Sequence, residues 1–447
     1  MRRYLFLLTI FVPALVAQKL QLGQINERVV SPSVAAQSYG LYLPSNYSDA
    51  KKWPVVFVFD PGARAVPTIE LFREGAEKYG YLVFCSWNSR NGSWNQTTAA
   101  METMWNDALS GFSVDEKQFY TAGYSGGSRA ALTFALATKA IAGVIAGGAG
   151  FATPTPPAKI PFATFLVTST EDFNWLEMHS LNRHMEKVKV AHRFTIVEGP
   201  HRWPPAATIT QGLEWLRIRA MRDGRVPKDA AMILSFTQAR LGEMAALSGN
   251  PLDLLRAYQF LGDDLDDPNW ILKAEELRKS KSLKQAVRRE QDEERSMQGL
   301  YAEFHQLLNA VDQGQEGMAA AKRWVETQTA VVKGAEDTQN RRVVRRTLSG
   351  LASSLVEEWL ELERQKKYDQ LARRLQLAIE FPTVRPNVYI ELAVAHVKSG
   401  NKKAAFDALE LAANKGILDL VTLNRNMGLE PLKSDPRWVA LVTQVKK

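Results

Sequence analysis

The chain of 447 residues contains a single cysteine, Cys85. One thiol excludes a disulfide framework and a cysteine-based zinc site. Beyond the first residues there is no long apolar run, so a polytopic membrane protein is excluded. Charge of one sign is also missing. Lys and Arg number 56 against 48 Asp and Glu, a net +8. That excess is spread thinly along the chain, whereas a nucleic-acid binder gathers its positive charge on one face. No nucleic-acid partner is therefore expected. No P-loop, no dinucleotide-binding glycine fingerprint and no cluster of metal-ligating residues is present. The expectation is neither a cofactor nor a metal. A long apolar insertion of the kind that forms a lipase lid is absent too, which argues against an enzyme of lipid interfaces. What remains is ordinary: 45% hydrophobic and 23% charged residues, enough for packed cores and too apolar for a disordered chain.

The length implies two or three domains. Residues 1–17 read as a cleaved signal peptide. Arg2 and Arg3 precede an apolar stretch from Tyr4 to Ala17, too short to span a bilayer, and polar chain resumes at Gln18;. Cleavage is expected near Ala17, and with no cysteine following, no lipid anchor. The mature protein is then secreted or periplasmic, without a stable membrane anchor. The charged fraction is higher after about residue 205 than before it, so the two parts look like different kinds of domain; the strand and helix patterns set the divisions at 18–222, 223–349 and 350–447;.

In 18–222, short β-branched or aromatic runs are bounded by Gly, Pro, Asn or Ser. They are Tyr39–Leu43, Val55–Phe59, Leu82–Cys85, Gln118–Ala122, Ala142–Ala146, Phe162–Thr168 and His192–Val197;. Helical spacing fills Thr68–Lys78, Ala99–Gly111, Ser128–Thr138 and Trp175–Val188. Alternating strands and helices predict an α/β fold with a mainly parallel sheet covered on both faces. Chemistry in such a sheet sits just beyond the C-terminal strand ends.

The sharpest signal lies there. After the strand Gln118–Ala122 the chain reads Gly123-Tyr124-Ser125-Gly126-Gly127 and enters a helix. This is G-x-S-x-G between strand and helix, a turn that lifts the serine above the sheet. The N–H of Gly126 would face a developing oxyanion. A serine nucleophile needs a base, and the base an orienting acid, here in the order serine, acid, histidine. Asp172 follows the strand Phe162–Thr168, with Glu171 as its neighbouring competitor. His201 follows His192–Val197 in a Gly-Pro turn. The second oxyanion donor is expected in the loop Asp60-Pro61-Gly62-Ala63-Arg64. Pro61 has no N–H, so Gly62 or Ala63 must serve. Asp60 either takes part or only caps this loop. The loop Ser86–Trp94 either lines the substrate pocket, with Arg90 holding an anion and Trp87 or Trp94 stacking on a ring, or is an ordered surface loop. Tyr124, Trp175 and Trp203 beside the triad candidates are pocket-wall candidates; the alternative is that they pack the loops.

At Val55–Arg64, Ser86–Trp94, Phe119–Arg129 and Ser169–Trp203 the chain resembles the α/β-hydrolase superfamily. It is most similar to secreted esterases related to dienelactone hydrolases, carboxylesterases and polyhydroxybutyrate-depolymerase-like proteins. The resemblance spans roughly residues 35–220. It implies Ser125, Asp172 and His201 as nucleophile, acid and base of a carboxylesterase acting on a small-molecule or polymer ester. Many relatives carry His-Gly where this chain has Asp60-Pro61-Gly62, a departure at the oxyanion loop.

From about Gly224 the pattern is helical. Asn387–Gly400 and Asn401–Lys415 pair about a Ser-Gly-Asn turn. The preceding pair, Val356–Gln365 and Tyr368–Glu380, lies 34 residues earlier, with Leu371, Leu375 and Ala378 matching Ala405, Leu409 and Ala412. That is the tetratricopeptide period. Residues 350–447 are thus expected to be tetratricopeptide-like repeats, which offer a surface for a protein partner or pack against the rest. Two other readings stand beside the esterase. One is a peptidase or amidase on the same scaffold. The other is a non-catalytic hydrolase-like binding protein, against which the intact Ser, Asp and His set argues.

Overall fold

The short runs of apolar, β-branched and aromatic residues form strands, in a sheet that buries both their faces. The computed structural model describes residues 19–447 except Ser93, Ser248, Gln315, 335–337 and 446–447. The proposed signal peptide, 1–17, lies outside the described residues. The strands are β1 (Ile25–Val30), β2 (Ser38–Tyr42), β3 (Trp53–Phe59), β4 (Leu82–Ser86), β5 (Val114–Tyr124), β6 (Ile141–Gly147), β7 (Ala163–Glu171) and β8 (His192–Pro200). Helices α1 (Ala65–Tyr79), α2 (Trp94–Gly111), α3 (Gly126–Thr138), α4 (Trp175–Lys187) and α5 (Ala206–Arg222) connect or follow them. β1 was not anticipated: its polar residues Asn26, Glu27 and Arg28 hide the alternation.

The eight strands form one sheet in the order β1-β2-β4-β3-β5-β6-β7-β8. β1 and β2 pair antiparallel, as do β2 and β4, while β3 with β4, β3 with β5, and β5 with β6 are parallel. After β3 the chain goes to one side for β4 and to the other for β5. The loops after β3 and β5 therefore leave the sheet at a switch point, where α/β sheets carry their sites. Every residue of β3 is buried. Phe57 sits among Phe84, Trp105 and Phe119, with ring centroids 5.6–5.7 Å away.

Among the described residues twelve more α-helices follow, with a 3-10 helix at Met427–Leu432: α6 (Ala230–Ala246), α7 (Pro251–Leu265), α8 (Pro268–Lys279), α9 (Lys281–Gln313), α10 (Glu316–Val332), α11 (Gln339–Glu357), α12 (Trp359–Arg364), α13 (Tyr368–Ala378), α14 (Asn387–Lys398), α15 (Lys402–Asn414), α16 (Leu420–Arg425) and α17 (Pro436–Val445). Their starts are written in the sequence. Asn250 and Asp267 accept backbone N–H bonds ahead of Pro251 and Pro268, and Ser280 caps α9;. The helix expected at Val356–Gln365 is divided, because α11 runs on to Glu357 and α12 spans six residues. The residues matched across 34 positions are all buried, and α14 packs on both α13 and α15. No helix of the described residues is long and apolar enough to cross a membrane.

The chain forms two compact units that are not contiguous in sequence. One comprises the chain up to Leu166 with Met185–His192 and Pro204–Ile233; the other comprises Val167–His184, Arg193–Trp203 and Leu234–Lys447. The first holds the serine turn. The second holds the helices together with the two segments that carry Asp172 and His201.

Candidate active site

In the first unit, β5 ends at Tyr124 and α3 begins at Gly126, leaving Ser125 to turn the chain. Its φ is 53° and ψ −124°. An L-residue rarely adopts such a backbone, at a cost of about 1–3 kcal/mol. The turn is over-determined. Ser125 N–H donates to the Gly147 carbonyl at 2.7 Å, and the Ser125 carbonyl accepts from Ser128 and Arg129. The flanking glycines are steric necessities: a Cβ on Gly123 would collide with the Gly127 carbonyl, and one on Gly127 with the Phe59 carbonyl. Tyr124 is buried with its ring against Gly147 and Gly148. Its ring packs the turn.

The loop after β3 is organised by its own acid. The Asp60 side chain, fully buried, accepts from Gly62 N–H at 2.8 Å, Arg64 N–H at 3.1 Å and the Arg64 guanidinium at 2.8–2.9 Å. Ala63 N–H donates to the Asp60 carbonyl at 3.1 Å. Both amides expected to bind an oxyanion, those of Gly62 and Ala63, are thus engaged inside the loop.

The loop after β4 brings in a residue that spacing did not single out. Ser86 Oγ accepts from the N–H groups of Asn88 and Ser89, and Asn91 N–H donates to the Pro61 carbonyl at 2.9 Å. So anchored, the Asn91 carboxamide lies over Gly126, with Oδ1 nearest the place a Cβ on that glycine would take and Nδ2 farther off. In the sequence its polar type in a turn-rich stretch pointed toward such a place, while the Asn91-Gly-Ser pattern pointed only to a glycosylation acceptor. Trp87 donates its indole N–H to the Glu27 carbonyl at 2.8 Å, tying the loop to β1. Arg90 is exposed. Trp94, 48% exposed, edges a groove of about 420 Å³ between α2 and α3, lined also by Met101, Trp105 and Phe134.

In the second unit, His201 Nδ1 lies 2.7 Å from Asp172 Oδ1. The carboxylate is fully buried and also accepts from Asn174 N–H at 2.8 Å. With Nδ1–H donating to an acid, Nε2 is left as the acceptor, the tautomer that a general base needs. The Phe173 ring lies on the imidazole at 3.9 Å. The two loops are cross-tied: Ser169 Oγ donates to the Pro200 carbonyl, Thr170 Oγ1 to Glu198, and Gly199 N–H to Thr170. Glu171, the competitor, pairs with Arg345 at 2.7 Å, and it is Asp172 that meets the imidazole.

Trp175 is 3% exposed, stacked on His179 at 3.7 Å and covered by the Arg346 guanidinium at 4.2 Å. It is interior to its unit, packed as in the loop-packing alternative. His179 is kept neutral by burial, and by the charges of Arg256, Arg183 and Arg346. Trp203 is half-buried. Among the described residues no group of acids, histidines and cysteine could hold a metal ion.

No family model and no curated protein matches the chain. Solved structures do resemble part of it. FphF, a fluorophosphonate-binding serine hydrolase of Staphylococcus aureus, is 13% identical with a TM-score of 0.36, covering 42% of this chain and 96% of its own. S-formylglutathione hydrolase (FrmB) of the same organism is 13% identical, with a TM-score of 0.37 over 44% and 98%. A ferulic acid esterase of Anaeromyces mucronatus is 17% identical, with a TM-score of 0.31 over 39% and 82%.

Proposed function

We propose that the protein is a serine hydrolase that cleaves a carboxylic ester through an acyl-enzyme. The observation that carries this reading is the backbone of Ser125, held at positive φ between β5 and α3. A passive serine has no need of such a turn; a nucleophile that must stand clear of the sheet does. The tautomer of His201 set by Asp172 supplies the matching base.

In this reading His201 Nε2 takes the Ser125 hydroxyl proton as Oγ attacks the ester carbonyl. The tetrahedral oxyanion is met by Gly126 N–H and, in place of Gly62 or Ala63, by Asn91 Nδ2–H once the carboxamide turns its nitrogen rather than Oδ1 toward the site. Collapse breaks the C–O bond, and the alcohol departs with the proton from His201. Water, deprotonated by the same imidazole, then releases the acid and frees Ser125. Asp172 holds the imidazolium in place through Nδ1–H;. If the leader at 1–17 directs export, the substrate is met outside the cytoplasm.

The test is hydrolysis of p-nitrophenyl acetate, butyrate and octanoate beside the matching anilides, with Ser125→Ala as control. The native protein is expected to cleave the esters and to be labelled at Ser125 by a fluorophosphonate. Ser125→Ala should lose about a thousandfold or more. Cleavage of the anilides alone would move the reading to an amidase. No turnover and no labelling would overturn it.

A further inference from the structure

The helix α11 reaches the loop that carries the acid. Arg342, Arg345 and Arg346 are spaced i, i+3 and i+4, so they share one helix face. Arg345 pairs with Glu171 at 2.7 Å. Arg346 donates to the Thr170 carbonyl at 3.2 Å and lies over the Trp175 ring at 4.2 Å. Arg342 faces Glu198 on the histidine strand at 3.8 Å. One turn further on, Gly350 leaves room for two neighbours: its missing Cβ would lie 3.2 Å from Phe173 Cβ and would collide with the Tyr301 hydroxyl. Thr170, Glu171, Phe173 and Trp175, the residues around Asp172, thus all rest on α11. Tyr301 of α9 is close enough that burial, and then the Asp172 charge, push its phenol up to about 12.

This arrangement is expensive as mere packing. The Arg346 side chain is 2% exposed and its charge is met by Glu293 of α9. Burial holds its pKa below the ordinary value. A well-packed apolar residue of similar volume is often as stabilising as such a pair. What the guanidinium adds is direction: it fixes a backbone carbonyl two residues before the acid.

We propose that α11 belongs to the catalytic apparatus, with Arg345 and Arg346 as positioning residues that set the Asp172–His201 pair, and Gly350 seating the ring stacked on the imidazole. The proposal rests on the serine-hydrolase reading. It makes the helical unit a working part of the enzyme rather than an appended partner-binding module. A misplacement of about 1 Å in a catalytic group costs about 10²-fold, so a small release of the loop is enough to be read.

The full chain would be compared with Arg345→Ala, Arg345→Lys, Gly350→Ala and the exchange Arg345→Glu with Glu171→Arg. For each, kcat and KM on p-nitrophenyl butyrate, thermal unfolding, and the low-field proton NMR signal of His201 Nδ1–H would be measured. Arg345→Ala is expected to lower kcat about 10–10²-fold with KM nearly unchanged. Its low-field proton signal should shift or broaden, while its unfolding midpoint stays within a few degrees. Arg345→Lys and the exchanged pair should regain most of the lost rate. Unchanged kcat and an unchanged proton signal in Arg345→Ala and Gly350→Ala would overturn the proposal. So would a rate loss matched by lost folded protein and not restored by the exchange. A native protein with no turnover and no fluorophosphonate labelling would instead overturn the serine-hydrolase reading, and the proton signal would still report whether α11 sets the pair.

Discussion

Ser125 keeps a backbone that glycine would adopt with less strain. Ser125→Gly should therefore stabilise the first unit by about 1 kcal/mol while abolishing hydrolysis. Thermal unfolding of the two proteins side by side checks this, and an unchanged or lower midpoint would mean that the turn is unstrained. Asn91 poses the second residue-scale question. The oxyanion loop spends its amides on Asp60, so the carboxamide over Gly126 is the remaining donor in our reading. Asn91→Ala should lower kcat about 10²–10³-fold with little change in KM. Asn91→Asp should be at least as poor, since it sets a negative charge against the oxyanion. An Asn91→Ala variant of native rate would return the role to a backbone amide.

At the scale of elements, helix starts and stops follow local chemistry, but α14 carries a tension within itself. Glu391 is half-buried beside the charge of Glu363, and desolvation and that charge outweigh Lys398 to raise its carboxyl to about 7 from the ordinary 4.5. A carboxyl raised in the folded state stabilises it fully below about pH 4.5, and that contribution is lost as pH climbs through about 7. The helical unit should thus weaken between these limits. Glu391→Gln should be more stable than native at pH 8 by about 1–2 kcal/mol, a figure discounted for solvent around a half-buried group. Near pH 4.5 the two should be equal. Unfolding midpoints at both values read the difference. The apolar face shared by α13, α14 and α15 follows from the 34-residue spacing of Leu371, Leu375 and Ala378 with Ala405, Leu409 and Ala412, all of them buried.

At the scale of the molecule, the division into units runs through the catalytic set as we read it. The segments bearing Asp172 and His201 count with the helices, and the serine turn does not. A chain ending after Ile233 would lose the contacts of Arg345, Arg346 and Tyr301 around Asp172. We expect it to give no turnover of p-nitrophenyl butyrate and no fluorophosphonate labelling, even where circular dichroism shows a retained sheet. Full labelling of that shortened chain would show that the acid and base loops hold themselves.

By itself the sequence determined whatever is local. Short β-branched or aromatic runs bounded by turn residues read as strands, and seven of the eight strands in the described residues fall on them;. The glycines at 123 and 127 foretold the sharp turn, because only a missing Cβ lets backbone approach backbone there. The order of Ser125, Asp172 and His201 pointed to a base held by an acid, and His201 does meet Asp172. Tertiary structure decided what depends on residues far apart in the chain. Asp60 spends the Gly62 amide through a side chain that folds back on its own loop. Asn91 reaches Gly126 only because β3, β4 and β5 lie side by side. Trp175 is interior because Arg346, 171 residues away, covers it. Periodicity records which face of an element is buried, not which distant partner buries it, and that is why the role we assign to α11 was not legible before the chain was folded.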